Sequence, residues 1–267
     1  MHWILQSNFM HEEKYEEMVQ TLERFGIPYS VHKVVPFAGE LEPAPALATT
    51  NVICIGSYSM RHAARQNAWT PGVFDLFDQN FNVQMRHWGR HMLNADSVVS
   101  MFKDAVLTEE LMFIRPIDDA KYFAGRLFER DEFLDWQTKV CALGEDDGTS
   151  LSGDTYIQLS TPKRIYREVR YWIVRDQVIT ASLYKLGDRV TYAEKLPDAM
   201  DAFVATLIDP TATDYWQPAE AFVLDICELP DETYKIVEIN TLNSSGFYAA
   251  DIARLTMVLE EAFSVKE

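Results

Sequence analysis

The chain has 267 residues, of which 24 are basic and 41 acidic, and its formal net charge is −17 at pH 7. Apolar residues make up 48%, which indicates a globular protein with a core large enough for one large or two smaller domains. The negative charge argues against bulk nucleic-acid binding and against adhesion to anionic membrane, because both need a positive surface. The negative net charge is still compatible with a small anionic substrate that a local cluster of basic residues binds.

No apolar run reaches the 18 residues of a membrane span. The N-terminus lacks the basic start and long apolar stretch of a signal peptide. Cys54, Cys141 and Cys227 are far apart without metal-type spacing and fit buried thiols in a reducing compartment. We therefore expect a cytoplasmic protein.

The segments "HWILQS", "IPYSVHKVV" and "NVICIGS" are predicted strands, and the helix "HEEKYEEMVQTLERFG" lies between the first two, with Gly26 as its stop. This order predicts a small parallel sheet in an α/β domain over residues 1–95. The loop "GSYS", residues 56–59, follows a strand, where such sheets bind ligands. It has neither a dinucleotide nor a P-loop pattern, and an ordinary turn is the favoured interpretation.

The order of predicted elements differs in residues 96–267. Strands are predicted at "MFIRP", "GRLF" and "TYIQLS", a flexible connection at 143–154, and an antiparallel hairpin at "REVRYWIVRDQVITASLYKLG". A short helix, a second hairpin and a C-terminal helix follow. The predicted fold class is therefore α/β followed by α+β with an antiparallel sheet.

The second hairpin, "AFVLDICELPDETYKIVEIN", carries acids where core strands are apolar: Asp225, Glu238 and, on the same face, Asn240. Two carboxylates about 4 Å apart repel by roughly 4 kcal/mol near a protein surface. A shared proton, a basic partner or a cation would relieve this. Because all three side chains offer hard oxygen donors, Mg²⁺ holding a nucleotide phosphate is one interpretation. Solvated strand ends are the other.

Basic residues accompany this hairpin. Arg115 ends the strand "FIRP", Lys121 lies in the following loop, and "REVR" puts Glu168 and Arg170 on one strand face. Positive groups opposite a metal cage would suit a polyphosphate. Taken singly, Glu168 and Arg170 could pair with cross-strand neighbours instead.

The ordered motifs "FIRP…K", "YIQLS", "EVRYWIV" and "VLDI…VEIN", over about residues 110–248, resemble the ATP-grasp superfamily of carboxylate–amine ligases. They are most similar to a branch common in bacteriophages and bacteria in which an arginine replaces the usual "KP" lysine. An acid followed thirteen residues later by Glu-x-Asn is also the spacing in D-alanine–D-alanine ligases. The first 95 residues resemble the Rossmann-like domain that precedes the ATP-grasp fold, so residues 96–267 would form the ATP-grasp domain.

The resemblance implies roles for individual residues. Its magnesium ligands match Asp225, Glu238 and Asn240, of which Asn240 also counts toward nucleotide binding. Arg115 would contact phosphate, and Lys121 would lie in the loop that covers the phosphates. Gln158 and Leu159 would contact adenine through their backbone. Glu168 would bind the ribose, and Arg170 would contact phosphate or the acyl group. Arg115, Lys121 and Arg170 would be the catalytic groups.

The resemblance has departures. Many relatives carry an arginine where this chain has Val223, and Arg170 or Lys185 are the candidates to replace it. An upstream phosphate lysine does not align, which leaves Arg86 and Arg90 as candidates.

Two further motifs carry polar or metal-binding residue types. The loop "TLNSSGFY" supplies Asn243, Ser244, Ser245 and Gly246, and in relatives it borders the second substrate; it fits a polar turn that caps the C-terminal helix equally well. His87 and His91 lie four apart on a predicted helix, but without a third ligand ordinary histidines are favoured over a zinc pair.

The function implied is that of an ATP-dependent ligase that uses ATP and Mg²⁺ to join a carboxylate to an amine through an acyl phosphate, acting on an amino acid or a peptide. The alternatives are a catalytically degenerate module that binds nucleotide or a protein partner, and a kinase on the same scaffold. No nucleic-acid or membrane partner is expected. The oligomeric state is open, and a homodimer is one possibility.

Overall fold

A computed structural model of the chain describes residues 1–7, 14–35, 38–76, 80–118, 122–143, 151–194, 197–213 and 215–265. Two compact units are present: Met1–Phe77 together with Ile165–Glu267, and Asp78–Arg164. The first unit is therefore discontinuous in sequence, and the second is continuous. The predicted boundary near residue 95 stays a prediction.

The first sheet belongs to the discontinuous unit. Its elements are β1 (His2–Gln6), α1 (Tyr15–Arg24), β2 (Tyr29–Val34), β3 (Leu41–Glu42), β4 (Asn51–Ile55), α2 (Arg61–Gln66) and β5 (Thr70–Gly72). The strand order is β3-β2-β1-β4-β5, with parallel pairing except for the short β3. The apolar runs of β1 and β4 are buried, as in a sheet covered on both faces. The helix α1 buries Met18 and Leu22, and Gly26 at φ +64° follows its end, where a left-handed residue favours glycine.

The continuous unit contains a four-stranded antiparallel sheet. Its elements are α3 (Phe81–Trp88), β6 (Val98–Met101), β7 (Leu111–Pro116), β8 (Arg126–Glu129), α4 (Arg130–Ala142) and β9 (Tyr156–Ser160), in the strand order β6-β9-β7-β8. Its core is aromatic: Trp136 stacks on Phe128 and lies edge-on to Phe102, and Phe133 is fully buried.

A second five-stranded sheet completes the discontinuous unit. Its elements are β10 (Arg167–Val174), β11 (Gln177–Leu186), β12 (Arg189–Ala193), α5 (Asp198–Leu207), β13 (Ala221–Glu228), β14 (Tyr234–Thr241) and α6 (Ile252–Phe263). The order β12-β11-β10-β13-β14 is antiparallel throughout. Arg175 and Asp176, both at positive φ, make the two-residue turn between β10 and β11.

One core joins the two sheets of the discontinuous unit. Trp3 and Ile53 of the first sheet lie in the same buried cluster as Trp172 of the second and Leu255 of α6. The predicted class, α/β followed by α+β with antiparallel sheet, is confirmed. That the first sheet is Rossmann-like stays a prediction. No helix within the described ranges is long and apolar enough to cross a bilayer.

Candidate functional site

A row of three ionisable side chains crosses the second sheet. The register pairs Arg170 of β10 with Asp225 of β13, and Asp225 with Glu238 of β14. Asn240 lies two residues beyond Glu238, on the same face because side chains alternate along a strand. Its amide Nδ2 donates to Glu238 Oε1 at 3.0 Å and to Asp225 Oδ2 at 3.3 Å. The hairpin thus brings together the three side chains that the sequence predicted to meet.

Arg170 supplies the positive charge for this row. Its Nε and Nη2 donate to Asp225 Oδ1 and Oδ2, both at 2.8 Å. Arg170 is 8% exposed and Asp225 1% exposed, so the pair is buried. Burial raises the pKa of Asp225, Glu238 and Glu168 add to the rise, and Arg170 opposes it. The sequence left a shared proton, a basic partner or a cation as ways to relieve the repulsion between the carboxylates. The structure contains the basic partner, Arg170.

Glu168 is held by residues of β11 on the other side of β10. Lys185 Nζ lies 2.8 Å from Glu168 Oε1, and the Tyr184 hydroxyl donates to Oε2 at 2.8 Å. A register shift between Glu168 and Val169 leaves Tyr184 as the extra residue of a bulge, which lets two consecutive side chains reach one carboxylate. Lys185 and Tyr184 are therefore cross-strand partners of Glu168. The sequence allowed such pairing as the alternative to ribose binding.

Stacked tyrosines cover Arg170. Its guanidinium lies 5.0 Å from the ring centre of Tyr248 and 5.7 Å from that of Tyr184. Tyr248 stacks between Tyr184 and Tyr192, with ring centres 5.2 and 5.1 Å apart. Burial raises the pKa of Tyr184, and Asp225 and Glu168 add to the rise. This aromatic cover was not predicted, because Tyr184 and Tyr248 are distant in sequence.

One row further on, the same sheet face becomes apolar on β10 and β13, while β14 contributes Asn240. Trp172 pairs with Val223, and both are fully buried in the core of this unit. Val223 is the position at which the resemblance to ATP-grasp ligases predicts an arginine in many relatives. Here that position belongs to the packed part of the face. Arg170, two residues before Trp172, provides the cation nearest to Asp225 instead.

The donor set of the row suits a hard cation. Asp225 and Glu238 offer carboxylate oxygens, and the Asn240 carboxamide can present its oxygen by rotating about its last bond. Two carboxylates, an amide oxygen, water and phosphate oxygens are the ligands Mg²⁺ prefers. Over the described ranges, no group of three or more His, Cys, Asp or Glu side chains is arranged to hold a metal. A magnesium ion held by Asp225, Glu238 and Asn240 would therefore need phosphate and water to complete its shell.

The nucleotide residues predicted from the continuous unit lie on neighbouring strands. Arg115 of β7 pairs with Gln158 of β9, and Leu159 pairs with Ile114. Gln158 and Leu159 are buried, and Gln158 Oε1 accepts from Ser97 Oγ at 3.3 Å. A Cβ on Gly125 would lie 2.8 Å from that of Arg115, so only glycine permits this close approach. Lys121 lies outside the described residues.

The loop after β14 is tied into the fold. Asn243 is 1% exposed; its Nδ2 donates to the carbonyl of Cys54, and its Oδ1 accepts from Phe74 N at 2.8 Å. Ser245 Oγ donates to the carbonyl of Thr241 at 2.7 Å. The suggestion that this loop caps the C-terminal helix is wrong, because Asp251 caps α6 by accepting from Arg254 N at 2.9 Å.

The loop at 56–59 is also tied down. Gly56 N donates to the carbonyl of Asn243 at 2.9 Å, and Gln6 Oε1 accepts from Ser57 N at 2.6 Å. A Cβ on Gly56, which has φ +151°, would come within 2.5 Å of the Gln6 Cβ. The close packing against Gln6 is sufficient to explain why position 56 is a glycine, so the residue type does not by itself indicate a ligand site.

The predicted histidine pair does not share one α-helical face. The helix α3 ends at Trp88, Gly89 follows at φ +45°, and His91 lies in a 3-10 turn. The sequence-based helix through His87 and His91 is therefore wrong, because glycine stops it between them. Arg86 is exposed in the last turn of α3, and Arg90 is exposed in the 3-10 turn. Their suggested phosphate role stays a prediction.

The chain matches a known family model. The family model, described as an ATP-grasp domain of the R(2)K clade, family 3, covers residues 51–259. No curated protein sequence matches the chain.

Several solved structures are similar in fold. D-cycloserine synthetase DcsG has a TM-score of 0.64 at 12% identity, covering 99% of this chain and 100% of that one. The macrocyclase MdnC from Microcystis aeruginosa MRC, bound with precursor peptide MdnA, has a TM-score of 0.56 at 11% identity, covering 98% and 100%. D-alanine–D-alanine ligase from Bacillus anthracis, complexed with ATP, has a TM-score of 0.55 at 10% identity, covering 98% and 99%. At these identities the likeness is one of fold.

Proposed function

Because this chain belongs to family 3 of the R(2)K clade of ATP-grasp domain proteins, we propose that it is an ATP-dependent ligase that joins a carboxylate to an amine. The chain has the ATP-grasp fold. We further propose that the domain boundary follows the family pattern, with residues 1–95 preceding an ATP-grasp domain at 96–267. An amino acid or a peptide is the proposed substrate, in keeping with the precursor peptide bound by the similarly folded MdnC.

One observation carries the proposal: the row of Arg170, Asp225 and Glu238, completed by Asn240, on one sheet face. A row in which Arg170 and Asp225 are buried and Glu238 is half-buried is costly to build for stability alone, because the buried charges must be desolvated. Such arrangements are common where charge is needed for chemistry. The order and spacing of these residues are those of the magnesium ligands that the resemblance implies.

Asp225, Glu238 and Asn240 would hold Mg²⁺ in this proposal. When bound, the ion would neutralise charge on the nucleotide phosphates. Its charge would also offset the burial that raises the pKa of Asp225. Glu238, with 3.0 Å between its Oε1 and the Asn240 amide, would be the second anionic ligand.

The other nucleotide contacts follow the roles that the resemblance implies. Glu168 would accept from the ribose hydroxyls, and its existing bonds to Lys185 and Tyr184 would fix its orientation. Arg115 and Lys121 would contact phosphate, where a guanidinium gives a permanent charge. The adenine would be contacted by the backbone of residues 158–159.

The reaction would run in two steps. The substrate carboxylate attacks the γ-phosphate and forms an acyl phosphate and ADP; the amine then attacks the acyl carbon and expels phosphate. Arg170 would stabilise the anionic oxygens in both steps, since the Tyr248 ring and Asp225 hold its guanidinium in place. Positioning and charge neutralisation supply the catalysis, so no protein nucleophile is required.

A second candidate is a module that binds nucleotide or a protein partner without catalysis. Two observations favour it. Both oxygens of Asp225 already accept from Arg170, and Val223 occupies the place of an arginine that many relatives use. A site whose charges are already satisfied has less need of a metal.

Turnover measurements separate the candidates. The full chain is incubated with Mg·ATP and with pools of amino acids and short peptides, and ADP and phosphate are quantified. Phosphate release that needs both an acid and an amine supports the ligase. ADP with a phosphorylated product indicates a kinase. ATP binding without turnover in any pool supports the binding module and overturns the ligase.

A further inference from the structure

The first half of β11 is an open sheet edge. β10 pairs with β11 along its length, but β12 pairs only with Leu183, Lys185 and Leu186. Among the described residues, no strand pairs with 177–182 on the side away from β10. The backbone groups that face outward there are a template for another extended segment.

The sequence of this edge does not protect it from pairing. Residues 177–182 read QVITAS, without a charge or a proline. Val178, Ile179 and Thr180 are β-branched and favour strands. Proteins usually blunt an open edge with lysine, proline or a bulge. Lysine and proline are absent here, and the register shift between Trp172 and Ile173 makes Ile179 the extra residue of a bulge. With neither lysine nor proline present, the residues on either side of this bulge can still pair with a partner strand.

A groove of about 840 Å³ lies along this edge. One wall is formed by α5 and the residues after it, including Ala205, Ile208 and Pro210, and the other by the start of α6 with Asp251 and Arg254. Six edge residues span about 20 Å, at about 3.3 Å each. The groove thus presents an edge that suits a peptide of about six residues between two helices.

The charge of the groove selects the partner. Its described lining contains five acidic side chains and one basic one, namely Asp176, Glu194, Asp201, Asp209, Asp251 and Arg254. Where the acids accept hydrogen bonds, the donors are neutral: a tyrosine for Asp176 and Asp201, a threonine for Asp209, and a backbone N–H for Asp251. These bonds leave the negative charge in place.

We propose that this groove binds an extended, lysine- or arginine-rich peptide segment of a partner protein, which adds a strand to β11. Backbone pairing would supply affinity, and the acidic walls would supply selectivity. A second copy of this chain fits poorly, because two such edges would bring like charges together. The proposal concerns an interaction surface and does not rest on the ligase reaction.

The test measures binding of a fluorescent ten-residue peptide of alternating lysine and threonine to the full chain by anisotropy at low salt. We expect saturable binding that weakens as salt is raised, because screened ion pairs contribute. The same peptide N-methylated on alternate backbone amides should lose binding by about tenfold or more, since it forfeits several hydrogen bonds. A glutamate–threonine peptide should not bind.

A matched pair of variants locates the site. Glu194→Gln with Asp209→Asn removes two charges from the groove, and the new carboxamide at position 209 keeps a side-chain oxygen that accepts from Thr211. Affinity should fall about 3- to 10-fold, as for two screened ion pairs. Glu109→Gln with Asp135→Asn changes the net charge equally outside the groove lining and should leave affinity unchanged.

Three results would overturn the proposal: equal affinity for the N-methylated peptide, equal effects of the two variants, or no binding at about 1 mM, the limit of a weak specific interaction. Concentration-dependent self-association that blocks the peptide would instead assign the edge to a second copy. None of these results bears on ATP turnover.

Discussion

Arg170 and Asp225 face each other in register across β10 and β13, and the guanidinium donates to both carboxylate oxygens at 2.8 Å. A proposed phosphate-binding cation and a proposed metal ligand are therefore one buried ion pair. Whatever binds Asp225 changes the environment of Arg170, and the reverse also holds. Effects of variants at these two residues should be non-additive.

The first prediction concerns that pair. Arg170→Met should lower the free energy of unfolding by about 3–5 kcal/mol, because it leaves a buried carboxylate uncompensated. Arg170→Met combined with Asp225→Leu should recover most of this loss, since neither charge of the pair stays buried. Urea denaturation measures both. A double variant as unstable as the single one would show that the pair is not the source of the loss.

The second prediction concerns the metal. Glu238→Gln removes a charge but keeps an oxygen for the Asn240 amide, so the fold should persist. Turnover should fall about 10²-fold or more, the usual loss on removing one preorganised electrostatic group. Glu232→Gln makes the same change at an exposed position of the same hairpin and should keep full activity. Full activity of Glu238→Gln would remove the metal assignment.

The third prediction concerns the ribose. Glu168→Gln should weaken ATP binding about 10- to 100-fold, because charge-assisted bonds contribute about 1.5–3 kcal/mol. Calorimetric titration with a non-hydrolysable ATP analogue measures this. Glu228→Gln alters another buried acid of this sheet, one whose carboxylate lies 2.7 Å from Arg167, and it should bind the analogue normally. Parallel losses in both variants would point to a general effect on the sheet.

The fourth prediction concerns the loop after β14. Asn243→Ala would leave the Cys54 carbonyl and the Phe74 N–H without this partner in a buried place. We expect a loss of about 2–6 kcal/mol in the free energy of unfolding, at about 1–3 kcal/mol for each of the two groups. Ser244→Ala, at the exposed neighbour, removes the hydrogen bond between its Oγ and Thr241 Oγ1 at 2.8 Å and should lower the free energy of unfolding by about 1 kcal/mol or less. A small effect of Asn243→Ala would return this residue to the candidates for substrate contact.

The fifth prediction concerns the thiols. Burial raises the pKa of Cys54 and of Cys227 to about 12, whereas Cys141 is exposed. Because the thiolate is the reactive form, a thiol reagent at pH 8 should label one cysteine per native chain and all three in urea. Cys141→Ser should abolish native labelling. Labelling of two or more thiols in the native protein would contradict the burial described here.

Local sequence predicted local structure well. Alternating and continuous apolar runs correctly indicated β1, β2, β4, β7, β9 and both hairpins of the second sheet. The meeting of Asp225, Glu238 and Asn240 followed from strand alternation within one hairpin, where the turn fixes the register. Short strands such as β3 and β5 were missed, because two or three residues are too few to show the alternation of apolar and polar residues that indicates a strand.

Pairings between distant segments could not be predicted. Arg170 and Asp225 are 55 residues apart, and nothing local states that β10 neighbours β13. The bulge that turns Tyr184 toward Glu168 is a tertiary feature as well. The buried role of Asn243 depends on Cys54, which lies 189 residues away. A loop that is held by buried hydrogen bonds and a loop that binds substrate can have the same polar pattern in sequence. Only the contacts in the structure distinguish the two.

The discontinuous unit has a consequence for synthesis on the ribosome. Trp3 and Ile53 emerge early, yet their core partners Trp172 and Leu255 are translated far later. The continuous unit has all its own partners once residue 164 has been made, so it is free to fold first. The opening strands stay exposed until residues 165–267 have also been made, and a nascent chain stalled before the last helix would present that apolar surface to chaperones.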